Sequence, residues 1–312
     1  MEFFHKATNF PFMATRKVSY GISLVLIIAS FVSLATRGLN LGLDFTGGAT
    51  VQATFTQAAN VEDIRAKLIA TGFPDPQVQN FGSSRNVSIR LPPQGPQQNG
   101  TVIRTQLENV LKSVDPAVVI GELDVVGPQV GGELRTSAIW ALTATLLAIF
   151  IYIVIRFHTW RLSSGAILAV LHDPILVLGV FSFTQTSFDL AVVAAVLAVV
   201  GYSLNDTVVI FDRIRERFHS NRRLAPALIL DQSINQTLSR TIMTKVVTAI
   251  VVVALLFLGG PVLRGFSEAL LIGIVAGTYS SIYISAAVAL DCGLTAEHIF
   301  PTVKKEAIDH MP

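Results

Sequence analysis

The chain has 312 residues, 51% hydrophobic and 14% charged, and its mean hydropathy of +0.58 excludes an ordinary soluble domain. A formal net charge of +2 carries little information, because orientation in a membrane follows the placement of Lys and Arg and not their sum, and nucleic acid is not an expected partner. The single Cys292 excludes an internal disulfide, so any soluble part must be held by its own core.

The first predicted span, residues 18–37, lies between Arg16/Lys17 and Arg37, after a short N-terminus at 1–17. A helix needs about 20 apolar residues to cross roughly 30 Å of hydrocarbon, and this run suffices. Its basic flank and Ser33-Leu34-Ala35 imitate a cleavable leader. The apolar run is longer than the usual 7 to 15 residues of such leaders, so a retained anchor is expected.

From residue 38 to 133 the apolar residues become periodic. Thr50 to Thr56 alternates as a half-buried strand. Asn60 caps a predicted helix with Glu62 and Asp63 in its first turn and Val61, Ile64, Leu68 and Ile69 on its apolar face; Gly72 ends it. Residues 78–81 and 87–91 flank the turn GSSRN as a hairpin. After the loop PPQGPQQNG, Val102, Ile103, Leu107, Val110 and Leu111 define a second helix, and Ala117 to Val126 a last strand. The order βαββαβ predicts a small ferredoxin-like α+β domain. It holds no Cys or His and no paired acids, so neither a metal site nor another cofactor is expected. Gly47 and Gly48 before its first strand, and Gly131 and Gly132 after its last, read as linkers or as hinges.

The second span covers 134–155. The 51 residues from Leu162 to Asp212 hold no Lys or Arg and exceed one crossing; the polar break TQTSFD divides them into spans at 162–183 and 188–211. Spans at 241–258 and 266–290 follow, then a tail at 291–312. Six spans put both termini on one side. The short loops on that side hold thirteen Lys and Arg against one, Arg264, on the other. The expectation is therefore an α-helical membrane protein with cytoplasmic termini and one extracytoplasmic domain between helices one and two.

Motifs for chemistry are missing. No Lys follows a Gly, which excludes a phosphate loop, and neither C-x-x-C nor H-E-x-x-H occurs. An enzyme is not expected, so energy for work would come from an ion gradient or a partner.

Polar groups inside the spans are the functional candidates, since an Asp at a helix centre costs about 2.5 to 3.5 kcal/mol on insertion scales. His172 and Asp173 lie about 16 Å up span three. Asp206, beside Asn205, lies about 10 Å inside the basic end of span four. Arg240 opens span five, and Lys245 stands about 140° around the same helix. Loss of water favours a protonated carboxyl and a nearby cation favours the ionised one, so Asp206 reads equally as a proton carrier or as a static ion pair with Arg240. His172, Asp173 and the following Pro174 read as a relay or as a satisfied histidine at a kink. Gly273 and Gly277 form a small-xxx-small face suited to close helix packing.

These stretches carry a resemblance. DFTGG (44–48), VGPQVGGEL (126–134), GYSLNDTVVIFDRIRE (201–216), SRT (239–241), FLGGPVLRGFS (257–267) and GTYSSIY (277–283) make the chain similar, over almost its whole length, to the SecF family. That family supplies the six-span subunit of bacterial SecD/SecF export complexes and is related to resistance-nodulation-division transporters. The resemblance implies a cytoplasmic (inner) membrane protein with SecD, the SecYEG channel, unfolded polypeptide in transit and membrane lipid as partners, driven by proton or sodium flow. It places the family's acid on Asp206 and its basic residue on Arg240. Lys245, where the family usually has small or hydroxyl residues, adds a second cation, so Asp206 has two candidate partners, Arg240 and Lys245. A non-conducting scaffold and a small-molecule efflux transporter are the alternatives; the single small domain argues against efflux.

Overall fold

The computed structural model describes residues 8–81, 83–93 and 100–299. Gly82 of the predicted turn, the centre of the 92–100 loop and residues 300–312 of the tail lie outside them, as does Lys6. The first elements in chain order are α1 (Arg16–Arg37), α2 (Leu43–Thr46), β1 (Gly48–Thr54), α3 (Val61–Ala70), β2 (Gln77–Phe81), β3 (Ser83–Leu91), α4 (Gly100–Val114) and β4 (Val119–Val126). Then come α5 (Pro128–Phe157), α6 (Trp160–Thr184), α7 (Leu190–Ser220), α8 (Pro226–Leu258) and α9 (Gly260–Tyr279). A π-helical turn, Ser280–Ser285, continues α9 into α10 (Ala286–Asp291), and α11 (Ala296–Ile299) follows. Two compact units result: Asn40–Thr143 with Ser187–Val193, and the remainder.

The first unit has the expected βαββαβ order, and its sheet runs β2-β3-β1-β4 with every pairing antiparallel. Alternation works as period 2 requires: Ala49, Val51 and Ala53 point inward, with Val51 opposite Ile89 and Leu123 on its neighbours. Ile64 and Leu68 of α3 and Ile103, Leu107, Val110 and Leu111 of α4 complete the core. Asn60 Oδ1 accepts from the amides of Glu62 (3.1 Å) and Asp63 (3.4 Å), as its cap position predicts. Ile69 and Val102, expected on the apolar faces, are instead exposed, because each stands about 100° around its helix from the buried neighbour, Leu68 or Ile103. The hairpin is tighter than GSSRN suggests, since Ser83 already pairs with Phe81.

Residues 187–193 fold with this unit. The Gly42 amide donates to the Phe188 carbonyl (2.6 Å), and Arg90 donates to the Leu41 carbonyl (2.9 Å) and to Ser187 Oγ (3.1 Å). Asp189 Oδ1 accepts from the Val192 amide (2.9 Å) and Asp44 Oδ2 from the Leu190 amide (3.0 Å). Two carboxylates thus cap the first turn of α7, where the helix dipole favours negative charge.

One pH dependence follows from the turn before β4. Asp115 accepts from Thr56 Oγ1 (2.7 Å), the Thr56 amide (2.8 Å) and the Ala117 amide (3.0 Å), and these donors hold its carboxyl below the usual carboxylate range. A depressed folded-state value means the unfolded chain takes up the proton first as pH falls. The contribution is therefore complete above about pH 3.9 and lost below it. Thermal unfolding followed against pH is expected to show this acid-side loss in the native chain and a smaller one in Asp115→Ala.

Among the described residues six helices are long and apolar enough to cross a membrane, and two of them, α5 and α7, begin in the first unit. They outrun the predicted spans. The segment 212–240, read as a loop from its six Lys and Arg, is mostly helix, with α7 running on to Ser220 and α8 beginning at Pro226. Basic residues mark where hydrocarbon ends, whereas the helix ends where its buried stripe stops; Phe211, Ile214 and Phe218 continue that stripe at helical spacing. Likewise α5 begins at Pro128, so Gly131 and Gly132 lie in its first turns. Packing is close at small residues. A Cβ at Gly165 of α6 would come within 2.1 Å of the Ser285 carbonyl oxygen, and one at Gly273 of α9 within 2.0 Å of Val199 on α7. Ser19, Ser23, Ser30 and Ser33 give α1 a buried face, and Ser33 Oγ donates to Ser182 Oγ on α6 at 2.9 Å.

Candidate functional site

On α7 the buried positions Ser203, Asp206, Thr207, Ile210 and Phe211 share one face, because they recur at three- and four-residue spacing. Asn205 and Tyr202 fall outside it and are exposed. On α8 the buried face runs through Ile234, Thr237, Leu238, Thr241 and Lys245. Arg240 is one residue, about 100°, away from Thr241 and is exposed.

The two buried faces bring Asp206 and Lys245 together. Lys245 Nζ lies 2.8 Å from Asp206 Oδ2, with both side chains at least nine-tenths buried (6% and 7% exposed). The contact is an ion pair by distance, and Asp206 Oδ2 has no regular hydrogen-bond partner among the described residues. Lys245 Nζ also lies 5.6 Å from the centre of the Tyr202 ring, over its electron-rich face, which attracts a cation. Among the described residues Arg240 makes no ion pair within 4 Å. Of the two cations that the sequence offers Asp206, Arg240 and Lys245, the one paired with it in this chain is Lys245, and the reason is helix rotation. Asn205 is not part of the pair.

His172 and Asp173 are brought together on α6, with Nδ1 3.0 Å from Asp173 Oδ1. The sequence reading missed their neighbours from other helices: Ser23 Oγ, 3.3 Å from His172 Nε2, and Ser280 Oγ, which donates to Asp173 Oδ2 at 3.0 Å. A lone buried Ser has no local signal to mark it. Gly277 lies against this cluster, where a Cβ would meet Asp173 Oδ2 at 3.3 Å.

Of the four candidate hinge glycines, Gly47, Gly48, Gly131 and Gly132, three are in tight quarters. Gly47 (φ 68°) would place a Cβ 2.9 Å from the Pro128 Cα, Gly48 (φ 117°) 2.2 Å from the Leu91 carbonyl oxygen, and Gly131 2.9 Å from the Gly47 amide nitrogen. Gly132 has nothing within 4 Å. Among the described residues no group of three His, Cys, Asp or Glu is placed to hold a metal ion.

Comparison with known proteins places these features in one family. The family described as "Protein export membrane protein SecD/SecF, C-terminal" matches residues 106–295, and "SecD/SecF GG Motif" matches 32–59, which contains Gly47 and Gly48. Proteins named protein translocase subunit SecF are similar over most of the chain. That of Haemophilus influenzae is 47% identical, covering 96% of this chain and 91% of the relative. That of Pseudomonas aeruginosa is 44% identical, covering 98% and 99%. The crystal structure of SecDF, a translocon-associated membrane protein from Thermus thermophilus, matches with a TM-score of 0.82 at 36% identity and covers 91% of this chain. This chain spans 39% of that longer one. With a family match across more than half its length and near full-length relatives well above 30% identity, the chain belongs to the SecD/SecF family of protein-export membrane proteins.

Proposed function

We propose that the chain is the SecF-type subunit of a SecD-containing complex of the bacterial inner membrane, with both termini in the cytoplasm. In this reading the complex uses the proton or sodium gradient to assist unfolded polypeptide through the SecYEG channel. One observation carries the ion-coupling part: an acidic and a basic side chain 2.8 Å apart, 7% and 6% exposed, on two of the six helices suited to a membrane. Transfer of one elementary charge across 100 mV yields about 2.3 kcal/mol, enough to separate such a pair only if proton binding neutralises the carboxylate first. Arg240, exposed in the chain by itself and one helical face from Lys245, is the second cation of the proposed pathway. Asp44 of the DFTGG stretch caps the first turn of α7, the helix that also bears Asp206.

The closed ion pair also favours a second reading, in which Asp206 and Lys245 join α7 to α8 in a non-conducting scaffold. Replacing Asp206 by Asn separates the two. Export of a secreted protein is measured with and without a gradient while assembly with the SecD-type partner is monitored. Coupling predicts a loss of tenfold or more in the gradient-dependent part with assembly intact. Unchanged export in an assembled complex sinks it, and lost assembly favours the scaffold.

A further inference from the structure

The membrane unit buries a second pair of ionisable groups that the Asp206 site does not use. His172 is 3% exposed and Asp173 0%. Ionisable groups at that depth are costly unless matched, and here the match is made by hydroxyls from three other helical segments. Ser23 of α1 meets His172 Nε2, Ser280 donates to Asp173 Oδ2, and Ser280 Oγ lies 3.5 Å from Ser203 Oγ of α7. Gly277 leaves room for the carboxylate to lie against the helix that carries Ser280.

Two features distinguish this cluster from a plain helix pin. A neutral hydroxyl pair, Ser33 with Ser182, also joins α1 to α6 without an ionisable group. In contrast, the His172–Asp173 cluster is bounded by hydroxyls, each of which can donate or accept, so a proton can be added or removed with hydroxyl rotation alone. Second, Ser280 opens the π-helical turn, and the Ser285 carbonyl at its other end sits against Gly165 of α6. A π turn carries one residue more than the α-helix it interrupts, and such turns concentrate at functional sites.

We infer that His172 and Asp173 form a second proton-binding site, distinct from the Asp206–Lys245 pair, and that the π-helical turn at Ser280–Ser285 responds to its protonation. The imidazole and the carboxyl, 3.0 Å apart, offer two places for a proton within one buried cluster. Uptake of one proton by the carboxylate gives a carboxylic acid beside the imidazole and raises the net charge of the cluster by one. Oδ2 then either keeps accepting from Ser280 or donates to it, and the constraint on the first residue of the π turn changes. The titratable and charged groups around the site are Tyr279 of α9, whose ring centre lies 6.1 Å from the imidazole and whose hydroxyl donates to the Ser19 carbonyl, and Asp206 with Lys245. Asp206 is one helical turn beyond Ser203, so the two sites adjoin along α7. The inference holds whether or not Asp206 is the coupling carboxyl.

The test is infrared difference spectroscopy of carboxyl protonation against pH, on the full chain in lipid nanodiscs. The Asp206→Asn chain is expected to keep a titrating buried carboxyl band that disappears in the Asp206→Asn, Asp173→Asn double variant. In the Asp206→Asn background, His172→Gln is expected to move the midpoint of that band by about one pH unit or more, a tenfold change in proton affinity. Amide hydrogen exchange at residues 280–286 should change across the same midpoint with Asp173 present and lose that step in Asp173→Asn. A single titrating band abolished by Asp206→Asn alone overturns the inference and leaves the Asp206 reading standing. If Asp173→Asn does not fold, His172→Gln decides, and an unmoved midpoint overturns the proposal.

Discussion

Replacing Lys245 by Met is expected to destabilise the membrane unit by about 3–5 kcal/mol, because it strands Asp206 as a buried charge without its partner. The double replacement, Asp206→Asn with Lys245→Met, is expected to recover most of that loss. A buried pair returns little net stability over apolar groups of similar size, while one broken half retains the full desolvation cost. Unfolding of the purified chain in mixed micelles measures all three variants. Arg240→Met is the control: as an exposed side chain without an ion pair among the described residues, its loss should fall within about 0.5 kcal/mol. Equal costs for Lys245→Met and Arg240→Met would show that Lys245 is not the group that compensates Asp206. The double variant also separates roles, since a scaffold needs only the recovered stability, whereas an ion carrier remains inactive.

Gly48→Ala is expected to cost the first unit about 3 kcal/mol or more. Its φ of 117° lies where side chains are strained by roughly 1–3 kcal/mol, and the added Cβ would sit 2.2 Å from the Leu91 carbonyl oxygen. That oxygen belongs to the paired strand β3, so relief requires backbone movement, worth a further 1–3 kcal/mol by analogy with overpacked cores. Hydrogen exchange and limited proteolysis across residues 48–126 of the full chain read the loss. Gly132→Ala is the opposite case: helical and with open space around it, it should gain about 0.5–1 kcal/mol. Export that falls in Gly132→Ala despite that gain would identify the start of α5 as a hinge, and unchanged export would remove Gly132 from that role.

Much of the architecture was legible from local pattern. The βαββαβ order, the Asn60 cap and the inward stripe of Ile64 and Leu68 follow from period and cap chemistry within single elements. Six apolar helices follow from hydropathy. Helix ends were less legible, because Phe211, Ile214 and Phe218 keep α7 helical beyond the point where Arg213 ends the apolar run. At the candidate site the residue types were legible and the pairing was not. Asp206, Lys245, His172 and Asp173 stood out as expensive groups at membrane depth, whereas Ser23, Ser203 and Ser280 carried no signal of their own.

By itself, then, the sequence determined which segments are helices and strands, which of them suit a membrane, and which ionisable side chains need compensation there. Only the tertiary structure decided who compensates whom. That choice depends on how each helix is rotated about its axis, and close contacts such as Gly273 with Val199 and Gly165 with Ser285 set how nearly neighbouring helices approach. In the resulting arrangement Lys245 is turned to Asp206 while Arg240, about 140° around the same helix, faces outward.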